Sequence, residues 1–295
     1  MFYGIAAGRF ILLFSTIYGV DFSGAKLAGR NTWVARLEPV VCGPGLPPYA
    51  LTDLAPLEKL CGTAERAASL THLVRLIASS EQALWAMDFP FGLPVEVMEP
   101  GAMWPAQLAF LQAWGEDDYG VGLECLRRAK ALGGPNHIRR LTDAEEKAPF
   151  DPYHYRIIYQ TFYGMRDVLG PLRRHRRTAI LPFHYRRLAA ARRVLVEACP
   201  ASTLKRLGLP HRNYKQPQGG RLAATRLRTR RAILAGLAGC VGISEAHHRA
   251  IMRNGGGDAL DALIAALGAV RAWHTADHRL IARHPRYPRE GRLYV

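Results

Sequence analysis

A chain of 295 residues, 49% of them hydrophobic, can bury a sizeable core in one large domain or two small ones, which excludes a disordered or fibrous protein. Forty Lys and Arg against 24 Asp and Glu give a formal charge of +16, which favours a polyanionic partner, nucleic acid before an anionic membrane surface. Only six of the basic residues are Lys, and an Arg excess beside abundant Ala, Gly and Pro is also what a GC-rich genome produces. Five cysteines (Cys42, Cys61, Cys125, Cys199, Cys240) are odd in number and widely spaced. They read as reduced thiols of a cytoplasmic protein, with neither a disulfide framework nor a zinc site. No stretch approaches the ~18 apolar residues of a membrane span, so no membrane partner is expected.

Residues 1–15 carry a short apolar run, Phe10-Ile11-Leu12-Leu13-Phe14, without a small-residue cleavage site. They read as an N-terminal extension, disordered or from a misassigned start, ahead of a single domain over 16–295. Ile17-Tyr18-Gly19-Val20-Asp21 predicts a buried strand that delivers one carboxylate to its C-terminal end and turns at once through Ser23-Gly24. Asn31 to Leu37 alternates apolar and polar residues as a half-exposed strand does, so the two segments predict an antiparallel hairpin. A Pro/Gly-rich loop from Pro39 to Pro48 and a weaker strand near Tyr49 to Leu54 follow. Thr63 to Ser79 predicts a helix with Leu70, Leu73, Val74 and Ile77 on one side and Glu65 in its first turn. Ala83 to Asp88 is a second apolar run ending in an acid, and Phe89-Pro90-Phe91-Gly92-Leu93-Pro94 stops it.

From about 95 to 190 the strand and helix alternation is lost, and the segment reads as a large insertion. It holds a predicted helix from Pro105 to Trp114, the aromatic stretch Tyr153 to Tyr163, and the basic run Arg173-Arg174-His175-Arg176-Arg177. Basic residues interleaved with aromatic ones suit a surface that contacts phosphates and stacks on bases; an aromatic core strip under a solvated basic face reads equally well. Arg193 to Glu197 is a third apolar strand ending in an acid, halted by Pro200, and Ser202 to Leu207 is a short helical turn. After a polar loop from Pro210 to Gly220, Arg221 to Ala238 predicts a basic amphipathic helix. Its Arg226, Arg230 and Arg231, with Arg173, Arg174, Arg176 and Arg177, are the candidate nucleic-acid contacts. Gly255-Gly256-Gly257 then leads into an Ala/Leu-rich helix that opens with Asp258 and Asp261.

Three strands ending in acids, and a helix opening with two more, place Asp21, Asp88, Glu197 and Asp258 where strand ends lie side by side. Carboxylates that converge repel one another and raise their pKa unless cations intervene. Mg²⁺ or Mn²⁺ meets that need, one ion or two held roughly 3.5–4 Å apart, to activate water and stabilise the leaving oxygen of a phosphodiester. Asp258 stands nearer the loop and is the better ligand candidate of the helix pair; Asp261 suits ligation or electrostatic capping equally.

These residues carry a resemblance. The arrangement is similar to the RNase-H-like fold, and Gly257-Asp258-Ala259-Leu260-Asp261-Ala262-Leu263 is similar to the acidic helix of RuvC-type resolvases. Gly19 to Ala25, Asp88 to Pro94, Glu197 to Leu204, Asp258 to Ala262 and Glu290-Gly291-Arg292-Leu293 resemble the family called domain of unknown function 429, described as a predicted RNase-H-fold nuclease. The resemblance implies an α/β domain with a mixed five-stranded sheet flanked by helices, Asp21, Asp88, Glu197 and Asp258 at the catalytic positions, and hydrolysis of DNA or RNA. Two other functions fit parts of the chain. Actin-like ATPases and sugar kinases also begin with a strand-end Asp and a Gly-containing turn, although no second phosphate turn is present. A silent nucleic-acid-binding module would need only the basic segments.

Overall fold

The computed structural model describes residues 3–6, 9–12, 14–40, 47–216 and 222–295. Cys42, most of the Pro39–Pro48 loop, and Arg221 lie outside the described residues. Strands β1 (Tyr3–Ala6) and β2 (Arg9–Leu12) pair antiparallel as a ladder separate from the main sheet. The main sheet contains β3 (Thr16–Asp21), β4 (Trp33–Pro39), β5 (Tyr49–Pro56), β6 (Ala83–Asp88), β7 (Thr178–Ile180), β8 (Arg193–Glu197) and β9 (Val241–Gly242). Their order is β7-β8-β6-β3-β4-β5-β9. Pairings of β3 with β4 and of β4 with β5 are antiparallel, whereas β3–β6, β6–β8, β7–β8 and β5–β9 are parallel.

The sheet is therefore mixed, with helices on its faces, but it has seven strands where five are expected. The two additions are edge strands of three and two residues, too short to leave a periodic signature. One of them, β7, falls within 95–190, so the end of that segment is built into the sheet. The predicted hairpin forms as β3 and β4. Glu65 precedes the helix Arg66–Ser79 and caps it, accepting hydrogen bonds from the amides of Ala67 and Ala68, where a first-turn position is expected.

Alternation along the strands sorts side chains onto two faces. Ile17, Ala35, Leu37, Leu84, Ala86, Val194 and Val196 join one core with Leu260, Leu263 and Ile264 of the helix Asp258–Thr275. Val20, Val34, Trp85, Met87 and Leu195 join the other with Leu70, Leu73 and Ile77, and with Phe162, Met165 and Leu169 of the 95–190 segment. That segment is part of the core on this face. The helix Asp258–Thr275 is apolar on nearly all sides, and it is buried accordingly. It lies directly on β3: a β-carbon at Gly19 would come within 1.9 Å of the Ala262 carbonyl oxygen and 2.6 Å of the Ala266 nitrogen. Among the described residues no helix is long and apolar enough to cross a membrane. Cys61, Cys125, Cys199 and Cys240 are all free thiols.

Candidate metal centre

Asp21 and Asp88 are register partners at the C-terminal ends of two adjacent parallel strands, so the sheet itself sets their carboxylates side by side. Both share the alternation of Ile17, Leu84 and Ala86 and therefore project toward the helix Asp258–Thr275. Close seating of that helix on Gly19 brings its first turn over the strand ends. One oxygen from each of Asp21, Asp88 and Asp261 then lies within 4.8 Å of the others. The three line a cleft of about 560 Å³ whose wall also includes Cys199, Arg212, Tyr214 and Lys215.

Burial is the main influence on these carboxyls, and it disfavours their charged forms. Asp21 is raised well above the usual carboxylate range by burial, opposed by Lys215 and reinforced by Asp261, Asp88 and Asp258. Burial, with repulsion from Asp261, pushes Asp88 up to about 7 against the pull of Lys215 and a hydrogen bond with Asp21. Asp261 is raised by burial as well, although Lys215 and Tyr214 both favour its ionised form. The Tyr214 hydroxyl donates to Asp261 Oδ1 at 2.8 Å, and the Lys215 ammonium pairs with Asp261 Oδ2. For Lys215, burial acts against the charge, but Asp261 and Asp21 outweigh it and hold the amine protonated.

Three carboxylates crowded into a largely buried site, with one ammonium between them, are short of positive charge. Their oxygens are hard donors, and their mutual separation lets one ion reach all three at the ~2.0–2.6 Å of Mg²⁺ or Ca²⁺ coordination. The residues present thus fit a hard divalent cation. Thiol chemistry does not fit, because burial pushes Cys199 up to about 12 and keeps it protonated at neutral pH.

Glu197 and Asp258 are outside the group of three. Glu197 pairs in register with Met87, one residue short of Asp88, and so leaves the sheet on the opposite face. There it accepts from Arg140 Nη1 at 2.8 Å and from the Phe91 amide at 3.0 Å. Arg140 also donates to both oxygens of Asp143 and to the Glu290 carbonyl, which ties the 95–190 segment and the C-terminus to β8. The Glu290-Gly291 motif belongs to this node: Gly291 has a φ of +93°, and a β-carbon there would meet Glu197 at 2.9 Å and Arg140 at 3.0 Å. Asp258 sits at the first position of its helix, half-buried, and accepts from Asn254 at 3.2 Å. Of the two helix acids, the inner one reaches the strand ends, where Asp258 is expected to be the better ligand. The residue one turn deeper overlies Asp21, and the residue at the helix mouth overlies the loop.

The candidate nucleic-acid contacts divide. Arg174, Arg176 and Arg177 are exposed and Arg173 half-buried, but they precede β7, whose first residue pairs with the first residue of β8. They lie at the opposite end of the parallel strands from Asp88. Arg230 is a correction: it is fully buried, and its guanidinium donates to the carbonyls of Tyr214, Ile251, Asn254 and Gly255 at 2.6–3.0 Å. It has no surface to offer a phosphate. Arg226 is half-buried and donates to the Lys215 carbonyl; only Arg231 of the three is exposed. The aromatic stretch divides as well, with Tyr153, Phe162 and Tyr163 in the core and Tyr155 and Tyr159 exposed.

Sequence reasoning missed Lys215, Tyr214 and Gln160, which donates to the Phe22 carbonyl at 2.7 Å and covers the turn after Asp21. Gly24 permits that cover, since a β-carbon there would come within 2.2 Å of the Tyr159 carbonyl oxygen. A Lys in a chain with only six among its 40 basic residues is a weak signal for Lys215.

Residues 179–286 match the model of a family described as a protein of unknown function, DUF429. That span carries Glu197, Tyr214, Lys215, Asp258 and Asp261, and Asp21 and Asp88 lie before it. No curated protein and no solved structure matches the chain.

Proposed function

We propose that this chain, whose residues 179–286 match the DUF429 family model, is a divalent-metal-dependent nuclease of RNase-H-like architecture. The observation that carries the reading is the gathering of one oxygen each from Asp21, Asp88 and Asp261 within 4.8 Å, in a cleft open to solvent. The mixed sheet, with acids at the ends of its central parallel strands β3 and β6, supports the architecture.

Asp21, Asp88 and Asp261 would hold Mg²⁺ or Mn²⁺. Such an ion, when bound, acidifies water and polarises a phosphoryl oxygen. Tyr214 and the sheet register orient the carboxylates before any ion arrives, so little reorganisation is left to binding. Exposed Arg212 on the cleft wall is placed to meet backbone phosphates, and the net charge of +16 favours encounter with a polyanion. The four free thiols of the described residues support a reducing, cytoplasmic setting.

The test is cleavage of single-stranded, duplex, hybrid and branched DNA and RNA with Mn²⁺ or Mg²⁺. Cleavage should vanish in Asp21→Asn and in Asp88→Asn. Cleavage that survives both substitutions refutes the assignment.

A further inference from the structure

We propose that Lys215 is the second cation of the centre, so that the site takes one divalent ion and the Lys215 ammonium supplies the remaining positive charge. This rests on the metal-dependent reading above and sharpens it, because carboxylate centres of this kind are open to one ion or two.

Charge and geometry carry the inference. Ionised, as metal binding requires, the group of three brings three negative charges, and Lys215 is paired with one of them on Asp261 Oδ2. The carboxylates outside the group have their own partners: Glu197 and Asp143 share the Arg140 guanidinium, and Asp258 accepts from the Asn254 amide. Within the group, three carboxylates against one ammonium leave two negative charges, the charge of a single divalent ion. Asp261 has both oxygens engaged, Oδ1 by Tyr214 and Oδ2 by Lys215, whereas Asp21 and Asp88 feel the Lys215 charge without an ion pair of their own among the described residues. The unmet demand for charge is greatest on the Asp21 and Asp88 side, because the Lys215 ammonium is paired directly with Asp261.

Lys215 is built into this position. Arg230 Nε donates to the Tyr214 carbonyl at 2.7 Å and Arg226 to the Lys215 carbonyl, so two guanidinium groups pin the backbone that carries the ammonium. Gly257 makes room for the Lys215 stem, since a β-carbon there would come within 3.0 Å of Lys215 Cγ. The chain spends a glycine, two arginines and a tyrosine on placing one amine against Asp261.

Calorimetric titration with Mn²⁺ alone, with bound ions counted by electron paramagnetic resonance, decides the matter on the unmodified protein. One Mn²⁺ per chain is expected. Lys215→Met should then bind Mn²⁺ on the order of tenfold more tightly or take up a second ion, because the lost ammonium no longer shields Asp261. A merely structural lysine would lower affinity on removal. Two Mn²⁺ of comparable affinity in the unmodified protein would overturn the proposal and leave the metal-dependent reading standing, as would unchanged or weaker binding in Lys215→Met. Failure of both proteins to bind Mn²⁺ would overturn the two readings together.

Discussion

Glu197 sits beside Met87 in the pairing of β6 with β8, one position short of Asp88, although the two acids end neighbouring strands and line the same cleft. Its partner is Arg140, at 2.8 Å, in a node where both side chains are buried. Breaking a buried pair by removing one charge leaves the other uncompensated, a loss of about 3–5 kcal/mol. Glu197→Gln should therefore lower unfolding free energy in urea by about 3 kcal/mol, since Asp143 still accompanies Arg140. Mn²⁺ affinity of the folded protein should stay close to that of the unmodified chain. Loss of Mn²⁺ binding in a folded Glu197→Gln would return this residue to the metal centre.

Gly19 lets the helix Asp258–Thr275 rest on β3, and only this close approach carries Asp261 over Asp21. A methyl group at residue 19 has backbone atoms of Ala262 and Ala266 in its way, and backbone cannot swing aside as a side chain tip does. Overpacking of this kind costs about 1–3 kcal/mol, occasionally more. Gly19→Ala should lower the melting temperature and also weaken Mn²⁺ binding, because the displaced helix carries Asp261 with it. A variant that is destabilised yet binds Mn²⁺ normally would show that Asp261 is not a ligand.

Arg230 and Arg231 are neighbours in sequence with opposite expected behaviour. Arg230 donates to four backbone carbonyls in the two loops that present Lys215 and Asp258, and hydrogen bonds from a charged donor contribute about 1.5–3 kcal/mol each before cooperativity. Arg230→Met should cost roughly 4 kcal/mol, below the plain sum because such effects overlap. Arg231 is exposed, and Arg231→Ala should change stability by no more than about 0.5 kcal/mol. Should Arg231 contact nucleic acid, its removal lowers the salt dependence of binding, whereas Arg230→Met at moderate denaturation would not. Equal stability of the two variants would contradict the burial of Arg230.

How much of this centre is legible in the sequence depends on whether a property is local. Apolar runs ending in acids announce β3, β6 and β8, and both Asp21 and Asp88 are found where those runs place them. Register is not local. Glu197 ends a strand of the same appearance, but a shift of one residue relative to β6 turns it to the other face, and no pattern within Arg193–Glu197 encodes that shift. Which of Asp258 and Asp261 lies with Asp21 and Asp88 likewise depends on where the helix crosses β3, through Gly19. Lys215 and Arg230 depend on loops meeting across the fold, and a guanidinium buried on carbonyls looks in sequence like any other member of a basic helix. The short edge strands β7 and β9 carry too few residues for alternation to register.

The raised carboxyls make a prediction about pH. Burial holds Asp88 at about 7 against an ordinary value of 3.8, with Asp21 and Asp261 moved in the same direction. Between those limits the folded chain binds more protons than the unfolded chain, so this contribution to stability is fully present below the ordinary range and is lost as pH rises toward 7. For Asp88 alone the change is on the order of 3 kcal/mol. In EDTA, the melting temperature should fall between pH 5 and pH 7.5, and Asp88→Asn, which carries no charge to bury, should fall less. Saturating Mn²⁺ binds the ionised carboxylates, so its stabilising effect should grow over the same interval as proton competition fades. A melting temperature in EDTA that falls equally in both proteins would mean that Asp88 is not the titrating group. A Mn²⁺ effect of the same size at both ends of the interval would mean that the ion binds elsewhere than on these carboxylates.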